Sequence, residues 1–449
     1  MKFRLLSLLA LISAFSFAQT KRMTLQECVE YALENNITIE QFELDLESAK
    51  LGELEGLGQF LPRLNGSMGL NESKGFGIDP RTNTANPSLV VLQGNFNLSV
   101  GYTLFDGLRN IRRAQRAEIN TISNQYRLAN LKDDIRLSVA NAYLNVISSK
   151  ESLKVAQAQF AVTEQDLKRT RELVELGVVP NGDLLEIEAT AANQEQSIVN
   201  AEARVILSRI NLAQLLQITD YENFDIADES FDVPSSTILD KSPKQIFTKA
   251  MSFRNDIKLA ETSVILSEQD LKIAKGDALP TLNAFMNYNT FASDRFQLDD
   301  TGNLVRPDLI AQLEGNDGIS YGLSLNIPIF NAFSTSNSIK RAALNVKRSE
   351  LQYEQTKLDL ESAVNQAYND VKTFVKAYEA AQKSLDARRL AYQYAKERFE
   401  VGLMNSFDFS QAQARLDNAE ATVIRTKYDY IFRLKILEFY FGIPMGVID

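Results

Sequence analysis

Chemistry in this chain has to be built almost entirely without nitrogen bases or thiols, because its 449 residues contain no histidine and one cysteine, Cys28. That excludes histidine-based metal sites and histidine-dependent triads, and leaves carboxylate, hydroxyl or lysine chemistry. Cys28 has no partner for an internal disulfide and reads as a packing residue of the first helix. The carboxylates that recur in a pattern are Asp183 and Asp408. The first closes the turn Leu176-Gly177-Val178-Val179-Pro180-Asn181-Gly182-Asp183, and the second closes Phe399-Glu400-Val401-Gly402-Leu403-Met404-Asn405-Ser406-Phe407-Asp408. Each stands where a helix begins, so each is expected as an N-cap. Glu186 and Gln411 occupy matching places three residues further on. No nucleophile, metal cluster or phosphate loop accompanies them, so neither an enzyme nor a cofactor is expected.

The two turns are held by helical patterns of unusual length. After Asn331-Ala332-Phe333, Val364, Val371, Tyr378 and Leu385 repeat every seven residues, flanked by Ala367, Phe374 and Ala381 at the same spacing. This is a coiled-coil seam. A similar run leads from Asp106-Gly107 to Leu176, with stripes at Ile119, Ile122, Tyr126 and at Leu128, Leu131, Ile135. Return helices follow each turn, one from Leu184 to about Ile218. Thr24 with Glu27 forms a capping-box signature for a helix running to about Gly58, and Ser242-Pro243 opens another to Lys275.

Strands separate these helices. From Ile319 to Phe330 apolar residues take every odd position through Ile329, while Ser320, Gly322, Ser324, Asn326 and Pro328 take the even ones. Asn95 to Phe105 alternates likewise, with Phe96, Leu98, Val100, Tyr102 and Leu104 on one side, and Leu64 to Asn71 alternates before it. A polar loop with Pro80 and Pro87 is expected to join these two as a hairpin. A longer loop, about 292–318, is expected in the second hairpin. Phe105, Phe330, Phe285 and Tyr288 are candidates for aromatic girdles at membrane interfaces.

The pattern occurs twice. Gly276-Asp277-Ala278-Leu279-Pro280 matches Gly58-Gln59-Phe60-Leu61-Pro62 at a spacing of 218, and beyond the longer second loop Phe330, Gly402 and Asp408 match Phe105, Gly177 and Asp183 at 225. An unbroken correspondence of this kind is an internal duplication. The expected organisation is a signal peptide 1–18, a first repeat 19–218, an acidic, solvated connector 219–242, a second repeat 243–441 and a tail 442–449. Lys2 and Arg4 ahead of the apolar run Leu5 to Phe17, with Ser16-Phe17-Ala18, carry the signal-peptide reading. Removing those two cations takes the net charge from −10 to −12, which argues against a nucleic-acid partner.

The fold class expected is mainly α with a transmembrane β-barrel portion. A helix of roughly 65 residues reaches about 100 Å, and the two shorter helices of a repeat cover that distance end to end. Four strands per chain cannot close a barrel, and lipid forbids an open edge, so partner chains must complete it. Three chains give twelve strands with room for a channel, and the small polar strand face suits a wet lumen.

In their order and spacing these features resemble the TolC-like outer-membrane efflux and secretion ducts. Those features are the duplicated halves, Leu-Pro before the first strand of each hairpin, Phe-Asp-Gly or Phe-Asn-Ala after the second, and the turn at 399–408. The resemblance covers essentially all of the mature chain. It implies a homotrimer with a twelve-stranded barrel in the outer-membrane lipid of a Gram-negative bacterium and a twelve-helix tunnel in the periplasm. A periplasmic adaptor, or membrane fusion protein, would link the tunnel tip to an inner-membrane pump. It also implies a carboxylate gate near the tip at Asp183 and Asp408. The chain departs from one relative's pattern at Gln411, where a second acid is expected, with Glu186 at the equivalent place in the first half, and at Met404, where that relative has an arginine. Gly177, Val178, Val179, Gly402, Leu403 and Met404 would then form the adaptor-docking tip. A secreted trimeric coiled-coil protein of structural or adhesive role is the alternative, and it leaves the strands without a purpose.

Overall fold

The computed structural model describes residues 22–79, 83–229, 231–233, 236–295, 297–298, 301–305 and 308–443. The signal peptide, Pro80, Pro234 and the tail from 444 lie outside these residues. In chain order the elements are β1 (Arg22–Met23), α1 (Leu25–Asn35), α2 (Ile37–Gly58), β2 (Arg63–Asp79), β3 (Thr84–Phe105), α3 (Arg109–Glu175), α4 (Asn181–Leu216) and β4 (Asp225–Ile226). After a 3₁₀ turn (Thr237–Asp240) come α5 (Pro243–Phe253), α6 (Asn255–Gly276), β5 (Thr281–Ser293), β6 (Gln297–Leu298), β7 (Leu304–Val305), α7 (Leu309–Gly315), β8 (Gly318–Asn326), α8 (Ser334–Glu400) and α9 (Ser406–Phe441). The long helices α3 and α8 have 67 residues each and begin 225 positions apart, and the return helices α4 and α9 have 36 each at the same spacing.

The chain forms two compact units. One contains Asp45–Gln125 and Ala260–Tyr353 and carries a four-stranded antiparallel sheet of order β2-β3-β5-β8. The two hairpins therefore pair with each other inside one chain, through β3 and β5, and β2 and β8 are the outer strands. Register separates two faces. Leu64, Val100, Met286 and Tyr321 lie in one row across the sheet, and Asn65, Ser99, Asn287 and Ser320 in the next. Tyr288 lies on the apolar face, edge-on to Phe96. Phe285 does not: it shares a row with Gly101 and Gly322 on the small polar face, so it is no part of an outward girdle. The tip of its ring lies 3.0 Å from where a Cβ on Gly322 would stand, so a side chain there would require the ring to give way by a few tenths of an ångström.

The strands of the first hairpin are longer than their alternation indicates, 17 and 22 residues. Pro87 lies inside β3 rather than in a loop. The pairing steps from Gly77 with Asn86 to Gly75 with Leu89, so Pro87 falls at a bulge, where no ladder donor is needed. At the other end, β8 stops at Asn326 and does not reach Pro328 or Phe330. The connection between β5 and β8 is not a plain loop, since it holds β6, β7 and α7. Beyond the start of β8, where Gly318 pairs with Asn289, the edge of β5 is covered by α7. Gln312 Nε2 donates to the Ser293 carbonyl at 2.8 Å, its Oε1 accepts from Ser293 N, and Asn316 Nδ2 donates to the Phe291 carbonyl. Side chains thus replace a missing strand.

The other unit contains the described residues up to Leu44, Tyr126–Leu259 and the described residues from Glu354. Its core gathers Leu25, Cys28 and Ala32 of α1 with Val139, Tyr143 and Val146 of α3, Leu212 and Leu216 of α4, and Ile431 of α9. Burial pushes the Cys28 thiol up to about 12, so it stays protonated and unreactive. The connector between the halves is not simply a solvated belt. Phe224, Ile226, Phe231 and Ile238 are buried, β4 pairs in parallel with β1, and Lys150 holds Asp225 at 2.8 Å and Asp228 at 3.1 Å.

Each short helical leg is two helices rather than one. The break in the first is at Asn36, whose Oδ1 accepts from Thr38 N at 2.9 Å and so starts α2. The break in the second is at Arg254, 218 positions on, where the guanidinium pairs with Asp256 and lies under the rings of Phe439 and Tyr440. Both legs open with complete capping boxes, Thr24 with Glu27 and Ser242 with Gln245. Along α8, Val364, Ala367, Val371 and Ala381 are buried as the seam requires, with Tyr378 and Leu385 half-buried. Tyr378 stacks on Tyr430 of α9.

Candidate functional site: the paired helix turns

The turns at 176–183 and 401–408 belong to the helical unit and have one geometry. Gly177 and Gly402 adopt φ of +73° and +74°, with nothing near their Cβ positions, so backbone conformation alone selects glycine. Val178 N donates to the Leu173 carbonyl and Gly177 N to Val174; Leu403 N to Arg398 and Gly402 N to Phe399 repeat this in the second half. Both are Schellman closures, which satisfy carbonyls that a helix end leaves free. Leu176, Val178, Val401 and Leu403 are exposed at these turns. Val179 and Met404, expected to stand out with them, are half-buried.

Neither aspartate is an N-cap. The cap of α4 is Pro180, which makes no side-chain bond, and the cap of α9 is Asn405. Asp183 and Asp408 lie in the first helical turn, where a negative charge complements the helix dipole. Their bonds differ. Asp183 Oδ1 reaches across to α9, accepting from Ser406 Oγ at 2.6 Å, and thereby ties the two return helices together. Asp408 stays within its own helix: Asn405 Nδ2 donates to its carboxylate at 3.0 Å, and its amide donates to Asn405 Oδ1 at 2.8 Å. A duplicated residue therefore does two jobs, and nothing short of the long-range contact distinguishes them.

Glu186 and Gln411 are brought together on a cavity of about 360 Å³ between α4 and α9, with Gln194, Ser410 and Asp417. Gln411 Oε1 accepts from Arg415 at 2.8 Å. Gln194 and Asp417 had no signal in the sequence beyond their polarity on Ala-rich helices. Beneath the second turn Phe409 is buried and stacked on Phe399, ring centroids 4.6 Å apart, and on Tyr392 at 5.6 Å. Phe409→Ala should lower stability by about 3–5 kcal/mol, read from helical circular dichroism during thermal unfolding. Leu184→Ala, at the corresponding but half-buried place, should cost less.

A duplicated chain with a four-stranded sheet, two 67-residue helices and paired helix turns defines a class of sheet-and-long-helix repeat proteins. The family described as Outer membrane efflux protein matches residues 28–216 and 247–442, and the chain belongs to it. Among its relatives, the outer membrane efflux protein BepC of Brucella suis is 19% identical over 374 residues, which cover 83% of this chain and 75% of BepC. The outer membrane protein TolC of Vibrio cholerae is 24% identical over 307 residues, 66% of this chain and 64% of that protein. The crystal structure of the CmeC outer membrane channel of Campylobacter jejuni superposes with a TM-score of 0.78 at 18% identity, covering 93% of this chain and 85% of CmeC.

Proposed function

We propose that three copies of this chain form the outer-membrane exit duct of a multi-component efflux or type I secretion system. The observation that carries this reading is the sheet, which ends in outer strands β2 and β8 that no strand among the described residues covers. Among the described residues no helix is long and apolar enough to cross a membrane, and the apolar face of the sheet is the surface that would meet lipid. In lipid its edges must be paired, and β2 of one copy against β8 of the next closes twelve strands. Heptad-spaced leucines support a second copy as the neighbour: Leu344, Leu351 and Leu358 of α8 are 68%, 60% and 59% exposed. The lumen is the face of Asn65, Ser99, Asn287 and Ser320, and the paired turns form the periplasmic tip. There Asp183 and Asp408, with Glu186 and Gln411 behind them, narrow the duct.

An adaptor protein docks on the tip through exposed Val178 and Leu403, with Val179, Met404 and the two glycines shaping the turns. Cysteine at Val178 or Leu403 should crosslink in cells to a periplasmic partner that carries the pump. Crosslinks confined to positions on the sheet would invert the orientation and remove the adaptor from the tip.

A further inference from the structure

We propose that Asp417 of α9 and Gln194 of α4 form a proton-operated link between the two return helices, one that tightens when the Asp417 carboxyl takes up a proton. This goes beyond the duct reading and stands apart from the tip aspartates, since Asp417 is about 13 Å along α9 from Asp408. Three observations meet there. Gln194 Nε2 donates to Asp417 Oδ2 at 3.0 Å, joining the helices by one bond. Gln194 is 8% exposed, and its Oε1 is buried with no hydrogen-bond partner among the described residues. Asp417 and Gln194 also line two cavities, of about 360 and 590 Å³, which are polar and roomy enough for water to deliver a proton.

The chemistry follows from the inventory of donors. An ionised carboxylate only accepts, so it can use the amide N–H but leaves Gln194 Oε1 empty. A neutral carboxyl keeps that N–H bond on its carbonyl oxygen and donates its own O–H to Oε1. The pair then shares two bonds instead of one, and a buried acceptor is satisfied.

The surroundings favour the neutral form. Among the described residues no cation lies within ion-pair distance of Asp417. Glu420, on the same helix, is engaged by Gln159 of α3 at 2.8 Å and by Arg389 of α8 at 3.5 Å. Arg204 of α4 and Arg425 of α9 line the larger cavity, Glu186 the smaller, and Tyr392 of α8 feels the Asp417 charge. Burial, opposed by the Gln194 bond and aided by Glu420, raises the Asp417 carboxyl from 3.8 to about 6. Because this value is raised on folding, the folded link binds a proton at pH values where the opened helices do not. Its stability is full below the unfolded value of 3.8 and is lost as pH rises through about 6.

Hydrogen exchange on the purified, assembled full-length protein tests this, with rates corrected for the pH dependence of the exchange chemistry. Going from about pH 7.5 to about pH 5, protection of α4 amides around Gln194 should rise about tenfold. Asp417→Asn supplies both an N–H and a C=O, so it should hold the tighter level at both pH values. Gln194→Met should abolish the rise on α4 whatever happens on α9. The proposal is overturned if wild-type α4 shows no rise, if Gln194→Met preserves it, or if Asp417→Asn is loose at both pH values.

Discussion

Asp183→Asn combined with Asp408→Asn should leave a duct that still opens and conducts but has lost its preference for cations. The substitution is chosen to remove charge and little else. An asparagine at 183 can still accept from Ser406 Oγ, and one at 408 can still bond with Asn405, so the turns keep their connections. In the proposed trimer, three chains would place six carboxylates around one axis, and a ring of like charge attracts counter-cations. In planar bilayers the wild type should pass cations selectively and be blocked by multivalent cations. The double variant should show a reversal potential close to zero, and block weakened by at least about tenfold. If preference and block are unchanged, the constriction lies elsewhere and the two aspartates serve only the helix ends.

The second large effect concerns the sheet. Leu323 lies in a row with Ala284 and Tyr102, while its neighbour Ser324 lies in a row with Asn283 and Thr103. Arginine at Leu323 near the middle of the membrane should cost about 2–4 kcal/mol per chain. Arginine at Ser324 should be tolerated better, because a wet lumen solvates the charge. Recovery of heat-resistant trimers from outer membranes reads the difference. Equal losses at both positions would reverse the assignment of lipid and lumen faces.

The elements that could be read from sequence were those whose signal is local. Gly177 and Gly402 close helices because their φ demands glycine, and the Thr24 and Ser242 capping boxes are written within four residues. The alternation around Leu98 and Leu323 separated the two faces of each strand as the register has them, because a period of two cannot be mistaken over that length. What escaped depends on contacts distant in the chain. The partner of Asp183 is Ser406, and no spacing near residue 183 points to it. The breaks at Asn36 and Arg254 lack glycine or proline; Asn36 is legible afterwards as a cap, whereas Arg254 is fixed by rings at 439 and 440. The connector looked polar because its acids outnumber Phe224, Ile226 and Phe231, yet those few decide how it packs. Pro87 marked a loop by its type and was found at a bulge, the other place in a hairpin where a missing N–H does no harm.

The equal lengths of the helices limit how the proposed duct can grow in evolution. Both long helices have 67 residues and both return helices 36, and Asp183 after the first turn bonds Ser406 after the second. One residue added to a single helix would advance its turn by about 1.5 Å and rotate every later side chain by about 100°. The apolar seam would then face the wrong neighbour. A heptad is the shortest insertion that nearly restores facing, provided that every helix at that height gains one. Ducts of this design should therefore differ in reach by steps of about 10 Å, acquired in concert, rather than by gradual drift.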